Sequence, residues 1–271
     1  MATTTPDISF ERDSAPLAEK YDEVSERQYN HGKLLIRDLG IRAGQHVLDI
    51  GTGTGRLAEY VAGITGPEGS FIGIDPLPLR IEIAKRRLQG KGKAFVGHAE
   101  DLSDFPSASF DVVYYNSVFH WLADKLVPLR EAARVLKSGG KVGISTASKE
   151  KPHQFDLLTR TVLAENGFVR ESEQGVTGTK KVTGPELEEL FRAAGLKPVQ
   201  TEVRTFVDFH PDVDSVFAFS EASSFGNFLQ GVEPDLQTAV KAALRSALEK
   251  LRGPEGIRLE RHLVFAVAVK P

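Results

Sequence analysis

The 271-residue chain contains no cysteine. That single absence excludes disulfides, thiolate metal sites and a cysteine nucleophile together. Nor does any spacing of His, Asp and Glu match a metal-binding motif, so no metal is expected. No apolar run approaches the roughly 18–20 residues that a membrane-spanning helix requires. The polar first fourteen residues lack the apolar stretch of a secretory signal, and the expected location is cytoplasmic. Neither sign of charge dominates. Lys and Arg number 34 against 37 Asp and Glu, a formal charge of −3, which gives no reason to expect a nucleic-acid partner. The basic clusters are Lys85-Arg86-Arg87, which suits a helix C-terminus, and Lys180-Lys181. There is one tryptophan, Trp121, and no internal repeat or low-complexity tract.

What is present is a core-forming composition, 41% apolar. The length suits one large α/β domain with an elaborated cap, or two small domains, and leaves a homodimer open. Residues 15–39 read as one or two helices, with Leu17, Tyr21 and Val24 and then Leu34, Leu35 and Leu39 near helical spacing, ending at Gly40. From His46 the pattern alternates. Strands are expected at 46–50, 70–75, 94–96, 110–115 and 141–145, with helices at 56–64, 79–88 and 126–136 between them. That rhythm means right-handed βαβ units and a parallel sheet covered on both faces. Beyond Ser145 the rhythm changes. Helices are expected at 155–166, 185–194 and 235–252, and strands at 199–209 and 263–269. Residues 149–184 otherwise read as polar.

The stretch Val47-Leu48-Asp49-Ile50-Gly51-Thr52-Gly53-Thr54-Gly55 is an apolar strand running into a glycine-rich turn before a helix. Such a turn lets a ligand approach the backbone and sets it against unpaired helix N–H groups. This points to a nucleotide-like cofactor at the carboxyl end of the sheet. The spacing is Gly-x-Gly-x-Gly and not the Gly-x-Gly-x-x-Gly of dinucleotide sites. Asp75 ends the second strand twenty residues after Gly55, where a carboxylate can accept both hydroxyls of a ribose. Glu100, after the third strand, can accept an exocyclic amine. Capping of local turns is the alternative use of both carboxylates.

Together these residues resemble the class I S-adenosylmethionine-dependent methyltransferases. The matching pieces are Val-Leu-Asp-Ile-Gly-Thr-Gly-Thr-Gly, Gly73-Ile74-Asp75-Pro76, Ala99-Glu100-Asp101-Leu102, Phe110-Asp111-Val112-Val113-Tyr114 and Arg134-Val135-Leu136-Lys137-Ser138-Gly139-Gly140, over about residues 35–146. The chain is most similar to the small-molecule branch that includes quinone, malonyl-carrier-protein, trans-aconitate and natural-product methyltransferases. The resemblance implies a Rossmann-like α/β fold: a seven-stranded, mostly parallel sheet with helices on both faces and a helical lid. Residues 1–40 would be a tail and lid helices. Residues 41–271 would be the methyltransferase domain, with a helical insertion at about 211–256 carrying Phe217, Phe219, Phe225 and Phe228.

The resemblance also implies roles. S-adenosyl-L-methionine would be the cofactor. Gly51 and Gly53 would face its methionine part, with Asp49 supporting the loop. Asp75 would hold the ribose and Pro76 would lie near the adenine, whose edge meets Ala99 and Glu100. Asn116 would offer its backbone carbonyl to the ammonium, and Tyr21 of the lid joins this set. Two positions depart from the family pattern: His98 replaces a common Asp, and Ser138 replaces a common Pro.

Methyl transfer asks the protein to align the acceptor, exclude water and manage one proton. Among seven histidines, His120 is the candidate catalytic residue, because it begins the loop after the fourth strand and imidazole titrates near working pH. His31 and His153 are reserves. The expected reaction is methylation of a hydroxyl on an aromatic or natural-product-like small molecule, with carbon or nitrogen of a quinone-like acceptor as the alternative. A nicotinamide-dependent oxidoreductase would explain the glycine turn and Asp75 but not Ala99-Glu100. A non-catalytic cofactor-binding subunit is the third reading. Arsenite methyltransferases share this core but relay through thiols, which this chain lacks.

Overall fold

The computed structural model describes residues 10–168 and 179–271. The expected tail before Phe10 and the middle of the polar 149–184 segment lie outside the described residues.

The chain opens with α1 (Ala15–Val24) and α2 (Glu26–Leu39). The Ser14 hydroxyl accepts the Leu17 N–H at 3.4 Å to start α1, and α2 stops at Gly40, whose φ of 65° a glycine adopts without strain. There follow β1 (His46–Ile50), α3 (Arg56–Thr65), β2 (Ser70–Asp75), α4 (Pro78–Leu88), β3 (Lys93–Val96), β4 (Phe110–Asn116), α5 (Leu126–Val135) and β5 (Leu136–Ala147). The second half holds α6 (Gln154–Glu165), α7 (Gly184–Ala193), β6 (Lys197–His210), α8 (Val213–Ser223), α9 (Gln237–Glu249), β7 (Arg252–Gly253) and β8 (Gly256–Val269).

The sheet order is β3-β2-β1-β4-β5-β8-β6, parallel as far as β5 and antiparallel at β8 and β6. The eighth strand, β7, is a two-residue partner of β8. Side-chain alternation splits the core into two layers. Leu48 and Ile50 pack on one face with Leu129 of α5 and Phe191 of α7. Val47 packs on the other with Leu35 of α2, Val61 of α3 and Ile81 of α4. The strands are therefore buried on both faces, as a doubly covered parallel sheet demands.

Several boundaries differ from the sequence expectation, among them β5, which runs from Leu136 to Ala147 and not 141–145. The helix expected at 235–252 ends at Glu249, because Arg252 and Gly253 pair with Ile257 and Gly256 in a hairpin. The final strand begins at Gly256 rather than 263: its charged first half alternates Arg258, Glu260 and His262 with buried Ile257 and Leu259, so its apolar run is shorter than its hydrogen-bonded ladder. Helix α8 falls inside the stretch expected as a helical insertion at about 211–256, where no separate helix had been bounded. A capping box between Asp212 and Ser215 starts it. It packs with Leu248 through Val213 and Val216, while Phe228, Val240 and Leu244 close a second small core against Val162 of α6. Residues of α1, α2, α6 and α8 line one cavity together with the carboxyl ends of β1, β2 and β4. Among the described residues, no helix is long and apolar enough to cross a membrane.

Candidate active site

The cavity has a volume of about 440 Å³. One wall is built from the ends of parallel strands. The turn after β1 contributes Gly51 and Gly53, the end of β2 contributes Asp75 and Pro76, the loop after β3 contributes Ala99 and Glu100, and β4 ends in Asn116. Tyr21 of α1 faces this wall. The other wall is lined by His120, Trp121, His153, Phe155, Phe219, Phe225 and Phe228, with Arg27, Asp208 and Arg261. Of the four aromatics expected in a lid, Phe219, Phe225 and Phe228 reach the cavity, whereas Phe217 packs beside Phe228 in the small core.

Asp75 ties the first wall together. Its carboxylate accepts the Gly53 N–H at 2.9 Å and the Leu77 N–H at 3.0 Å, so the glycine turn and the β2 end are held as one surface. Burial pushes its pKa up, partly offset by those two N–H groups and by Arg80. Gly51 and Gly53 sit at φ 79° and 55°. A Cβ on Gly51 would lie 2.1 Å from Val118, and one on Gly53 would stand 3.5 Å from the Tyr21 ring. The Arg80 guanidinium stacks 4.2 Å from the centroid of that ring.

Asp49 does not line the cavity. It lies fully buried beneath the turn, and burial pushes its pKa up to about 7, opposed by the nearby Tyr114 and Thr52 hydroxyls and reinforced by Asp75. The Asn116 side chain points away from ligand duty: its amide donates to Gln28 O at 3.0 Å and its oxygen accepts the Ser145 hydroxyl at 2.6 Å.

His120 sits in a 3₁₀ turn, Phe119–Trp121, anchored by the fully buried Phe119. Lys125 clamps this turn by donating to the carbonyls of Phe119 and Leu122 at 2.5 and 2.7 Å. The Lys180 N–H holds the His120 carbonyl at 2.9 Å. The His120 Nδ1 lies 3.0 Å from the Thr146 hydroxyl of β5. Burial, then Lys125 and Lys181, keeps His120 well below the ordinary imidazole range, so it is neutral near pH 7. His153 precedes α6, and its Nδ1 accepts the His262 N–H at 3.0 Å. Burial holds His153 down at about 4. His31 is buried behind the wall, outside the cavity lining, with Nε2 2.9 Å from the Ser117 hydroxyl.

Arg27, Asp208 and Arg261 carry no motif. Arg27 belongs to a polar helix, and Arg261 lies in the charged half of β8. Extending that strand by its period-two alternation would have put Arg261 on the site side of the sheet.

A methyltransferase-domain family matches residues 48–144. An arsenite methyltransferase of Aquipseudomonas alcaligenes is 34% identical over 157 residues, 54% of this chain and 44% of that protein. The chain thus spans less than half the length of that relative. A demethylmenaquinone methyltransferase of Staphylococcus aureus is 30% identical over 206 residues, 70% of this chain and 85% of that protein. Among solved structures, a chain of the complex between the Haloferax volcanii Trm112 methyltransferase activator and a methyltransferase superposes with a TM-score of 0.62 at 18% identity, covering 99% of this chain and 100% of that one. The chain belongs to the class I S-adenosylmethionine-dependent methyltransferases. Membership sets aside the oxidoreductase reading of the glycine turn.

The residues present fit this cofactor. Gly53 leaves room for one carbon between the turn and the Tyr21 ring, where a Cβ would be in van der Waals contact at 3.5 Å. Asp75, Pro76, Ala99, Glu100 and Asn116 border the same cavity.

Proposed function

We propose that this protein transfers the methyl group of S-adenosylmethionine to a hydroxyl oxygen of a small aromatic or natural-product-like acceptor. The observation that supports it best is that His120 shares one cavity with Asp75, Glu100 and the glycine turn, under an aromatic cover. The bound cofactor supplies an electrophilic sulfonium methyl. Asp75 would hold its ribose, Ala99 and Glu100 its adenine edge, and Gly51, Gly53 and the Asn116 carbonyl its methionine end, with Tyr21 closing over them. Trp121, Phe219 and Phe225 present apolar surface to an acceptor and displace water from it.

The acceptor hydroxyl must lose a proton as the new bond forms. Among the two cavity histidines nearest this chemistry, His153 is committed: its Nδ1 lone pair takes a backbone N–H, so the neutral ring carries its proton on Nε2 and donates there. His120 keeps the choice, because the Thr146 hydroxyl can accept from Nδ1 and leave Nε2 as the base. Its depressed pKa makes it a weak base but a fully deprotonated one. It would share the proton in the transition state, when the methylating oxygen is far more acidic than the free hydroxyl. Arsenite is disfavoured as acceptor, since no cysteine is present for thiolate chemistry. A quinone-like acceptor methylated at carbon or nitrogen is the second reading, supported by the alignment that spans 85% of the demethylmenaquinone methyltransferase.

The test has two stages. Calorimetric titration with S-adenosylhomocysteine reads the cofactor site. Labelled methyl transfer into panels of hydroxylated aromatics and quinols then reads the acceptor. In single turnover at saturating cofactor, His120→Ala and His120→Gln should lose about 10²–10⁴-fold in rate while binding S-adenosylhomocysteine normally. Near-normal rates in both variants would remove His120 from the chemistry.

A further inference from the structure

The acceptor wall holds a charge imbalance. Arg27 of α2 and Arg261 of β8 both engage the one carboxylate of Asp208. Arg27 Nε is 3.4 Å from it, and Arg261 binds it through Nε closely and through Nη2 at 3.3 Å. All three residues line the cavity and are largely withdrawn from solvent. The remaining neighbours do not neutralise the second guanidinium. Arg27 Nη2 meets His210 Nδ1 at 3.2 Å, and Arg261 Nη1 meets His31 Nδ1 at 3.5 Å. A guanidinium has no lone pair to offer, so each imidazole is the acceptor and stays uncharged.

Three other ions of the lining are paired. Lys181 pairs with Asp156, Arg80 with Asp13, and Glu260 with Arg258. Within the group of Arg27, Asp208 and Arg261, two guanidiniums share one carboxylate, which leaves one net positive charge on that side of the cavity. An uncompensated, partly buried cation is costly unless a ligand supplies the counter-charge. Planar guanidiniums match a carboxylate in geometry, and these two already accommodate that of Asp208. A single excess charge matches a monoanion. The aromatic ring of Phe219, 5.0 Å from the Arg27 guanidinium, gives the site an apolar flank.

We infer that the methyl acceptor carries a carboxylate that docks on Arg27 and Arg261, as a handle separate from the atom methylated near His120. This rests on the methyltransfer reading above. It gives Asp208 a defined part: it holds the two guanidiniums in place and competes with the ligand.

The experiment measures binding of three matched pairs, benzoate, 4-hydroxycinnamate and decanoate, each against its primary amide, with and without S-adenosylhomocysteine. The wild-type protein should favour the carboxylate by about tenfold or more in at least one pair. Arg27→Gln, a change on a half-buried helix face that leaves Arg261 and Asp208 as a neutral pair, should erase that preference. Asp208→Asn should raise carboxylate affinity, whereas a purely structural triad would lose binding in every variant. Absence of preference in all three pairs, or a preference unchanged in Arg27→Gln, overturns the inference. Failure of S-adenosylhomocysteine to bind would instead overturn the cofactor reading, and the arm without it would still decide this one.

Discussion

His31 Nε2 and the Ser117 hydroxyl are 2.9 Å apart, and Ser117 holds a φ of 60°. A left-handed conformation costs a non-glycine residue about 1–2 kcal/mol, and this one directly follows Asn116 at the end of β4. The Ser117 N–H is also tied to Ser145 O at 2.9 Å. The buried imidazole thus helps hold the β4 exit, and Asn116 with it, in shape. His31→Ala should destabilise the protein by about 1–3 kcal/mol through a lost partner and a cavity, and should weaken S-adenosylhomocysteine binding. Ser117→Gly, which adopts this φ freely, should be milder on both counts. Denaturant unfolding and calorimetry check the pair, and equal effects would deny His31 a positioning role.

Asp75 bridges the glycine turn and the β2 end. Asp75→Ala removes a carboxylate that accepts two backbone N–H groups and that would also accept ribose hydroxyls. S-adenosylhomocysteine affinity should fall by about 1–3 kcal/mol. Unchanged calorimetric affinity would remove Asp75 from the cofactor site.

The two glycines of the turn should separate stability from binding. Gly51→Ala puts a Cβ 2.1 Å from Val118 at φ 79°, and strain plus overlap should cost about 2–4 kcal/mol. Val118→Ala in the same chain should recover the overlap part. Gly53→Ala meets nothing closer than the Tyr21 ring at 3.5 Å. It should cost only about 1–2 kcal/mol of stability yet impair cofactor binding more, because its methyl enters the ligand gap. Thermal melts and calorimetry on the three variants test the contrast.

Asp49 should make stability depend on pH with an unusual sign. Burial pushes its folded pKa up to about 7, against about 3.9 for an unfolded Asp. Between those values the folded chain holds a proton that the unfolded chain has released. Stability from this group therefore falls as pH rises through the window and is level above it. Asp49→Asn cannot titrate, so its stability relative to wild type should rise from pH 5 to pH 8, by up to a few kcal/mol. Denaturant midpoints at several pH values measure the difference, in which the remaining titrating groups cancel.

Much of this was written in the local pattern. The strand expectations at 46–50 and 70–75 coincide with β1 and β2, because apolar runs bounded by glycine and acidic turns have one reading within a βα rhythm. The five ordered motifs carried the family, since each sits within a few residues of its own strand end. Helix α8 as a bounded element and the first half of β8 were not legible. Their polar and charged residues are stabilised by partners distant in sequence: Val213 and Val216 of α8 pack with Leu248 and Leu259, and Arg261 is fixed by Asp208 on the neighbouring strand. The sequence alone therefore determined the wall built from the strand ends, where short-range glycines and carboxylates define the surface. Only the tertiary structure decided the opposite wall of the cavity. There His120 from the β4 exit, His153 before α6, Arg27 from α2 and Arg261 from β8 meet across the chain, and long-range packing, which leaves no local period, sets which of them keep a free lone pair or an unmatched charge.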